Sequence, residues 1–207
     1  KPDLVLAWDA GNPEPALTAL EDLGVRVWRT EVEGPDAIAA LLDDIGRATG
    51  RESVATARSA RLRARIEDLR AAHRERVPVR YFYQVAERPL YTINGAHPIS
   101  RGLAICGGEN VFAELGTLAP QISPEAVLRE DPQVLVAGRL DDGGEPLAHW
   151  RAWPRLRAVR DDALFYLHAD WINRATPRMV DALEEACHLF DDYRERAGET
   201  GGDTAQG

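Results

Sequence analysis

The stretch Leu4-Val5-Leu6-Ala7-Trp8-Asp9-Ala10-Gly11-Asn12-Pro13-Glu14, continued by Leu17, Leu20, Leu23 and Gly24 and then by Val25-Arg26-Val27-Trp28, decides the fold class. Leu4 to Ala7 is a near-continuous apolar run, the pattern of a strand covered on both faces in a parallel sheet. Asn12 is placed to cap a helix, Pro13 suits its first position and Glu14 its first turn. The three leucines supply the apolar stripe before Gly24 ends it. Val25 to Trp28 reads as a second strand, and Pro35 to Ile45 as a second helix with Ile38, Leu41, Leu42 and Ile45 on one side. Strand, helix, strand, helix predicts α/β architecture with a parallel sheet and helical crossovers.

Outward from this unit, Glu52 to His73 forms about six helical turns with a thin apolar stripe and much charge, uninterrupted by Gly or Pro. It reads either as an amphipathic cover or as a connector between lobes. The pattern then restarts: Val79 to Val85 is a strand, a helix lies around Ser100 to Ala104, and Gly107-Gly108 reads as its stop. Ser123-Pro124-Glu125 caps a short helix, Gln133 to Ala137 is a buried strand, Leu147 to Trp153 reads as helical, and Leu164 to Leu167 is a last strand. Thr176-Pro177-Arg178 opens the final helix. Pro2-Asp3-Leu4-Val5-Leu6-Ala7-Trp8 also echoes Pro132-Gln133-Val134-Leu135-Val136-Ala137-Gly138. The expectation is two Rossmann-like lobes bridged by one long helix: a partial N-terminal lobe over 1–51, a linker helix over 52–76, a C-terminal lobe over 77–194 and a glycine-rich disordered tail over 195–207. The chain opens on Lys1 with no initiator Met, and its first strand has no lead-in. The N-terminal lobe is therefore expected to be truncated at its start, with any signal peptide lost with it.

Composition narrows the function. Of 207 residues, 25 are Lys or Arg and 34 Asp or Glu, a formal net charge of −9 that argues against a broad phosphate-binding face. No apolar run approaches the ~20 residues of a spanning helix. The sequence has no G-x-S-x-G, Walker, G-x-G-x-x-G or H-E-x-x-H motif, so no catalytic residue and no metal set is assigned. His168 with Asp170 reads as a close acid/base pair, and an enzyme built on it would lack a nucleophile and a cofactor loop. Cys106 and Cys187 lie too far apart in sequence for a zinc motif and read equally as two buried thiols or as a disulfide.

Two pairs of residues carry more. Trp8 and Trp171 each follow a strand and precede polar, loop-like sequence, which fits the rim of a cleft at the carboxyl ends of strands. Two such rims suit a large, partly aromatic or macrocyclic ligand. Glu14 and Glu125 occupy matching motifs, Asn12-Pro13-Glu14 and Ser123-Pro124-Glu125, and either complement helix dipoles or clamp a basic partner.

Taken together, Lys1-Pro2-Asp3-Leu4-Val5, Ala7-Trp8, Gly11-Asn12, Cys106-Gly107-Gly108-Glu109-Asn110-Val111-Phe112, Pro120-Gln121-Ile122-Ser123 and Asp170-Trp171 with Arg174-Ala175 and Pro177-Arg178 resemble the class III substrate-binding proteins of ABC importers, and within them the cobalamin branch. The resemblance runs from Lys1 to about Leu189. It implies a periplasmic, non-enzymatic, monomeric carrier that holds cobalamin or a related corrinoid as transported ligand between the lobes, with little hinge closure. A haem, siderophore or metal-chelate ligand is the alternative within the same family. By the resemblance, Trp8, Tyr91, Asp170, Trp171, Ile172, Asn173 and Arg174 contact the ligand, Cys106 and Cys187 form a disulfide, and Glu14 and Glu125 dock onto arginines of the inner-membrane permease. Ile172-Asn173 stands where a member of the family carries Phe-Glu, a family Tyr lies upstream of Lys1, and Trp28 is one place from the family's aromatic and stays outside the site.

Overall fold

The computed structural model describes residues 2–8, 11–140 and 143–202. β1 (Leu4–Trp8), α1 (Glu14–Asp22), β2 (Arg26–Thr30) and α2 (Pro35–Thr49) precede the long α3 (Glu52–His73). β3 (Val79–Gln84), α4 (Pro98–Ile105), β4 (Gly108–Asn110), α5 (Pro124–Glu130) and β5 (Val134–Arg139) follow it. A 3-10 turn at Ala148–Ala152, α6 (Arg157–Arg160), β6 (Leu164–His168), α7 (Ala169–Ile172) and α8 (Arg178–Gly202) complete the chain. Every named strand pair is parallel: β1 with β2, and a sheet of order β4-β3-β5-β6. The α/β class read from the first unit holds throughout. The echoed segments are both strands, β1 and β5, and each has a parallel partner on the strand that follows it.

The four-stranded sheet is packed on both faces, and the two-residue period of its strands sorts the side chains. Tyr81, Tyr83, Val134, Val136, Phe165 and Leu167 face one core, with Leu62 and Ile66 of α3 and Leu183, Ala186 and Phe190 of α8. Phe82, Leu135 and Ala137 face the other, against Trp150, Phe112 and Leu147. Val32, Ile38 and Ala39 belong to the first of these cores, so α2 packs into the same interior as the second sheet. α3 therefore serves as cover and connector at once. Its buried positions Ala55, Ser59, Leu62 and Ile66 follow helical spacing. Its charges reach both ways: Arg63 pairs with Asp43 and Arg70 with Asp36 on α2, while Arg65 spans Glu184 (2.7 Å) and Asp181 (2.6 Å) on α8.

The far end of α3 is clasped more tightly. Cys106 and Cys187 form a disulfide that ties α4 to α8. Arg194 donates to the carbonyls of Cys106 (2.7 Å) and Val77 (2.8 Å) and to Asp191 (2.6 Å), and Asp191 also meets the buried His73 at 3.1 Å. Burial pushes the Asp191 carboxyl up, but the hydrogen bonds from Arg194 and His73 outweigh it and hold the group below the ordinary aspartate value.

Several expectations are corrected. Asn12 does not cap α1: Pro13 holds that place, and the Asn12 side chain instead accepts from the Trp8 N–H (2.8 Å). β1 is not covered on both faces, because Leu6 and Trp8 are 46% and 61% exposed while Ala7 is buried. Gly108 is the first residue of β4 as well as the end of a stop, since pairing with Val79 to Tyr81 supplies what a Gly-Glu-Asn segment lacks in strand propensity. Leu147 to Trp153 contributes a 3-10 turn, and α7 was not foreseen. α8 runs on to Gly202, so 195–202 is helical where a disordered tail was expected; Glu195, Arg196 and Ala197 are good helix formers that extend a helix already anchored upstream. Residues 203–207 lie outside the described residues. Among the described residues no helix is long and apolar enough to cross a membrane.

Replacing both Cys106 and Cys187 by Ser should lower the unfolding free energy by roughly 4 kcal/mol, as the chain-entropy relation gives for a separation of 81 residues. Urea denaturation would measure it. A loss below about 1 kcal/mol would show that the Arg194 clasp, not the covalent bond, fixes this end of the linker helix.

Candidate functional site

In a parallel sheet all strands end on one edge, and the crossover helices, running back, begin on that same edge. β1 ends at Trp8, β3 at Gln84, β5 at Arg139 and β6 at His168. The order β4-β3-β5-β6 reverses direction between β3 and β5, which makes the space beyond Gln84 and Arg139 the topological switch point of the second sheet.

Five of the expected ligand residues come from one short segment after β6. Asp170 and Arg174 are both exposed and form an ion pair at 3.0 Å. Trp171 is half-buried and lies against the His168 ring, 4.5 Å between centroids and 13° from parallel. Asn173 accepts a hydrogen bond from the Tyr83 hydroxyl at 3.1 Å. Burial pushes the Tyr83 phenol well up, so it stays a donor. Ile172 is fully buried in the core and presents nothing to a ligand. The departures at Ile172 and Asn173 are thus absorbed by packing: one residue fills the interior, and the other ties its turn to β3.

Gly138 explains how close this segment sits. A Cβ there would stand 3.2 Å from Ala169 Cα and 3.1 Å from Asn173 Nδ2, so a glycine at the end of β5 lets α7 settle against the strand. Tyr91 lies in the loop after β3 and is half-buried, bridged to Ala86 and Gln121. That loop is pinned from below by Thr92 Oγ1 donating to Tyr83 O (2.8 Å) and Asn94 Nδ2 donating to Leu115 O (2.9 Å). His97 opens α4 and accepts from the Ile99 N–H; burial pushes its pKa down, which keeps that nitrogen free to accept. Trp8 stands apart from these groups on the first sheet.

A shallow hollow of about 340 Å³ adjoins the segment, lined by Arg139, Leu140, Tyr166, His168 and Glu185 among others. Arg139 lies over the Tyr166 ring at 4.8 Å. Sequence reasoning passed over Arg139, although a cation closing an apolar strand at its carboxyl end was a legible signal. Of the acid/base pair read from the sequence, the His168 imidazole lies flat on Trp171 and the Asp170 carboxylate pairs with Arg174. Among the described residues no group of three or more His, Cys, Asp or Glu side chains gathers to hold a metal.

The two glutamates differ. Glu125 is exposed in the first turn of α5, and its own helix-start N–H and the Ser123 hydroxyl hold its carboxyl below the ordinary value. Glu14 is held by Arg29 through two hydrogen bonds of 2.6 and 2.9 Å. α1 follows β1, whereas α5 precedes β5, so within the strand repeat the two carboxylates do not occupy equivalent places.

Comparison with known proteins gives a consistent picture. The family described as "Periplasmic binding protein" matches residues 1–171. The vitamin B12-binding protein of Vibrio cholerae is 37% identical over 188 residues, covering 90% of this chain and 67% of the relative. That of Yersinia pestis is 34% identical over 188 residues, covering 90% and 65%. Among solved structures, the periplasmic vitamin B12 binding protein BtuF of Vibrio cholerae matches with a TM-score of 0.83 at 36% identity, over 93% of this chain and 75% of that one. The haem-binding RhuT of Roseiflexus matches with a TM-score of 0.80 at 22% identity, over 93% and 77%, a likeness of fold alone.

The support under the Asp170–Arg174 segment is open to test. Gly138→Val should displace α7, cost about 1–3 kcal/mol in thermal unfolding and change the near-ultraviolet circular dichroism of Trp171. An unchanged spectrum and melting temperature would show that the close approach of Ala169 to β5 is not what seats the segment.

Proposed function

The chain belongs to the periplasmic binding protein family, and from that premise we propose that it is the substrate-binding component of an ABC importer, taking cobalamin or a related corrinoid between its two sheets. The observation that carries the reading is a pair of tryptophans, Trp8 at the end of β1 and Trp171 on α7, which follows β6 directly. Indoles offer broad, rigid apolar faces at low entropic cost, as a corrin rim requires. Tyr91 adds a third aromatic in the loop after β3. The exposed Asp170 and Arg174 supply an acceptor and a donor for the peripheral amides of such a ligand. Ile172 is left out of the contact set on account of its burial, and Asn173 takes part through its bond to Tyr83. Binding alone is proposed, without a catalytic step. The Cys106–Cys187 disulfide suits an oxidising compartment such as the periplasm.

Delivery requires contact with a membrane permease. Glu125 is the better-placed contact, exposed and held in its charged form, whereas Glu14 would first have to leave Arg29. A permease arginine would gain a charge-assisted bond at Glu125 and would compete with an existing pair at Glu14.

Titration calorimetry with cyanocobalamin should give saturable heat at micromolar ligand or below, and Trp171→Ala should weaken binding about tenfold, ~1.4 kcal/mol. No heat and no quenching of tryptophan fluorescence would refute the ligand. Glu125→Lys should abolish stimulation of the importer's ATPase while leaving cyanocobalamin affinity intact, and Glu14→Lys should have the smaller effect. Undiminished stimulation by the Glu125 variant would refute the docking role.

A further inference from the structure

The exposed indole of Trp8 is more constrained than its exposure implies. Three hydrogen bonds with Gly11 and Asn12 fall on the backbone of Trp8 itself. Asn12 Oδ1 accepts from the Trp8 N–H at 2.8 Å, and the Trp8 carbonyl accepts from the N–H groups of Gly11 (3.2 Å) and Asn12 (3.0 Å). One strand further in, Thr30 Oγ1 donates to Ala7 O at 3.0 Å and fixes the last rung of the β1–β2 pair. The backbone under the ring is therefore held from both sides.

The ring lies across Gly11. A Cβ on that glycine would stand 2.1 Å from Cε3, 2.4 Å from Cζ3 and 2.8 Å from Cδ2 of Trp8, distances that no carbon pair sustains. Gly11 is not among the glycines with positive φ, so its backbone does not demand a glycine. The three atoms nearest to such a Cβ all belong to the indole. The six-membered ring thus sits over the Gly11 backbone, while Trp8 as a residue is 61% exposed.

We propose that Gly11 is a positioning residue for ligand recognition: it gives the Trp8 indole a seat on the turn, so that the ring meets the ligand already in its bound orientation. This rests on the reading of Trp8 as a ligand contact. The physical gain is preorganisation, since a side chain fixed before binding loses little rotamer freedom when the ligand arrives. The cost to folding of removing the seat is small. Trp8 is exposed, so an indole pushed aside forfeits little buried area, and replacing glycine with alanine where φ permits reduces the freedom of the unfolded chain. Ligand affinity and stability should consequently separate, which a glycine needed for the turn itself would not allow.

The test uses the full chain with Gly11→Ala, Trp8→Ala and the double variant, with cyanocobalamin as probe. Gly11→Ala should weaken binding about as much as Trp8→Ala, roughly tenfold, with the melting temperature within about 2 °C of the parent. The double variant should be no weaker than Trp8→Ala, because a seat has no function once the ring is gone. Without ligand, the difference in near-ultraviolet circular dichroism between the parent and Trp8→Phe isolates the Trp8 signal, and Gly11→Ala should remove that difference. Parent-like affinity in Gly11→Ala, losses that multiply in the double variant, or a steep fall in melting temperature would each overturn the proposal. If the parent bound no cyanocobalamin, the functional reading would fall by itself. The seating of the ring would then be decided by the ligand-free spectra, in which a Trp8 signal surviving Gly11→Ala overturns it.

Discussion

A parallel strand can reach its neighbour only by crossing over through a helix or long connection, and this constraint arranges everything functional in the chain. All named strand pairs here are parallel. Each strand therefore ends on the same edge of its sheet, and each connection leaves from there. Trp8, Arg139 and His168 are the last residues of their strands, and Tyr91 and the Asp170–Arg174 segment lie in the connections that follow strand ends. The opposite edge receives the helix ends, among them the end of α4 at Cys106. A chain so wound has little freedom over where it can place a binding site.

The same winding would leave two sheets free to move relative to each other were it not for α3. The helix shares its apolar stripe with the core of the second sheet and its charges with α2 on one side and α8 on the other. Individually these partly exposed ion pairs contribute little, about 0–1 kcal/mol each. Their effect lies in direction, since Arg65 fixes the helix against two successive turns of α8. At its end the disulfide, Arg194 and the buried His73–Asp191 contact converge on the junction of α3, β3 and α4. Arg101 adds a further tie, pairing with Glu33 at 2.5 Å on the way from β2 to α2.

The sequence disclosed the periodic features well, because hydrophobic period and turn chemistry are local. Strand β1, helices α1 and α2, α3 and Trp8 at the end of β1 were all legible. What it hid was decided by partners distant in the chain. β4 is a strand because β3 pairs with it, not because Gly108-Glu109-Asn110 favours extension. Ile172 was read with its neighbours as a contact, yet a residue two positions from an exposed Asp170 on a short helix faces inward. Asn12 carries a side chain suited to a helix cap, and a strand-end N–H claimed it first. Glu14 and Glu125 look alike over three residues, but one follows its strand and the other precedes it, and only topology distinguishes them.

The polar part of the proposed site invites one more step of reasoning. Asp170 and Arg174 stand four residues apart and pair in the open, an arrangement worth a few tenths of a kcal/mol. Opening such a pair costs little, so both groups are available to a ligand, one as acceptor and one as donor. Their charges cancel. A ligand bearing carboxylates would gain at Arg174 what it loses at Asp170, whereas carboxamides can bond to both without repulsion. On the corrinoid reading, this neutral pair selects an amide-rich rim. The seated indole of Trp8 and the His168-backed Trp171 meanwhile provide apolar surface whose orientation is set before the ligand arrives. On the same reading, affinity would derive from fixed aromatic faces and discrimination from a pair of charges that is cheap to open.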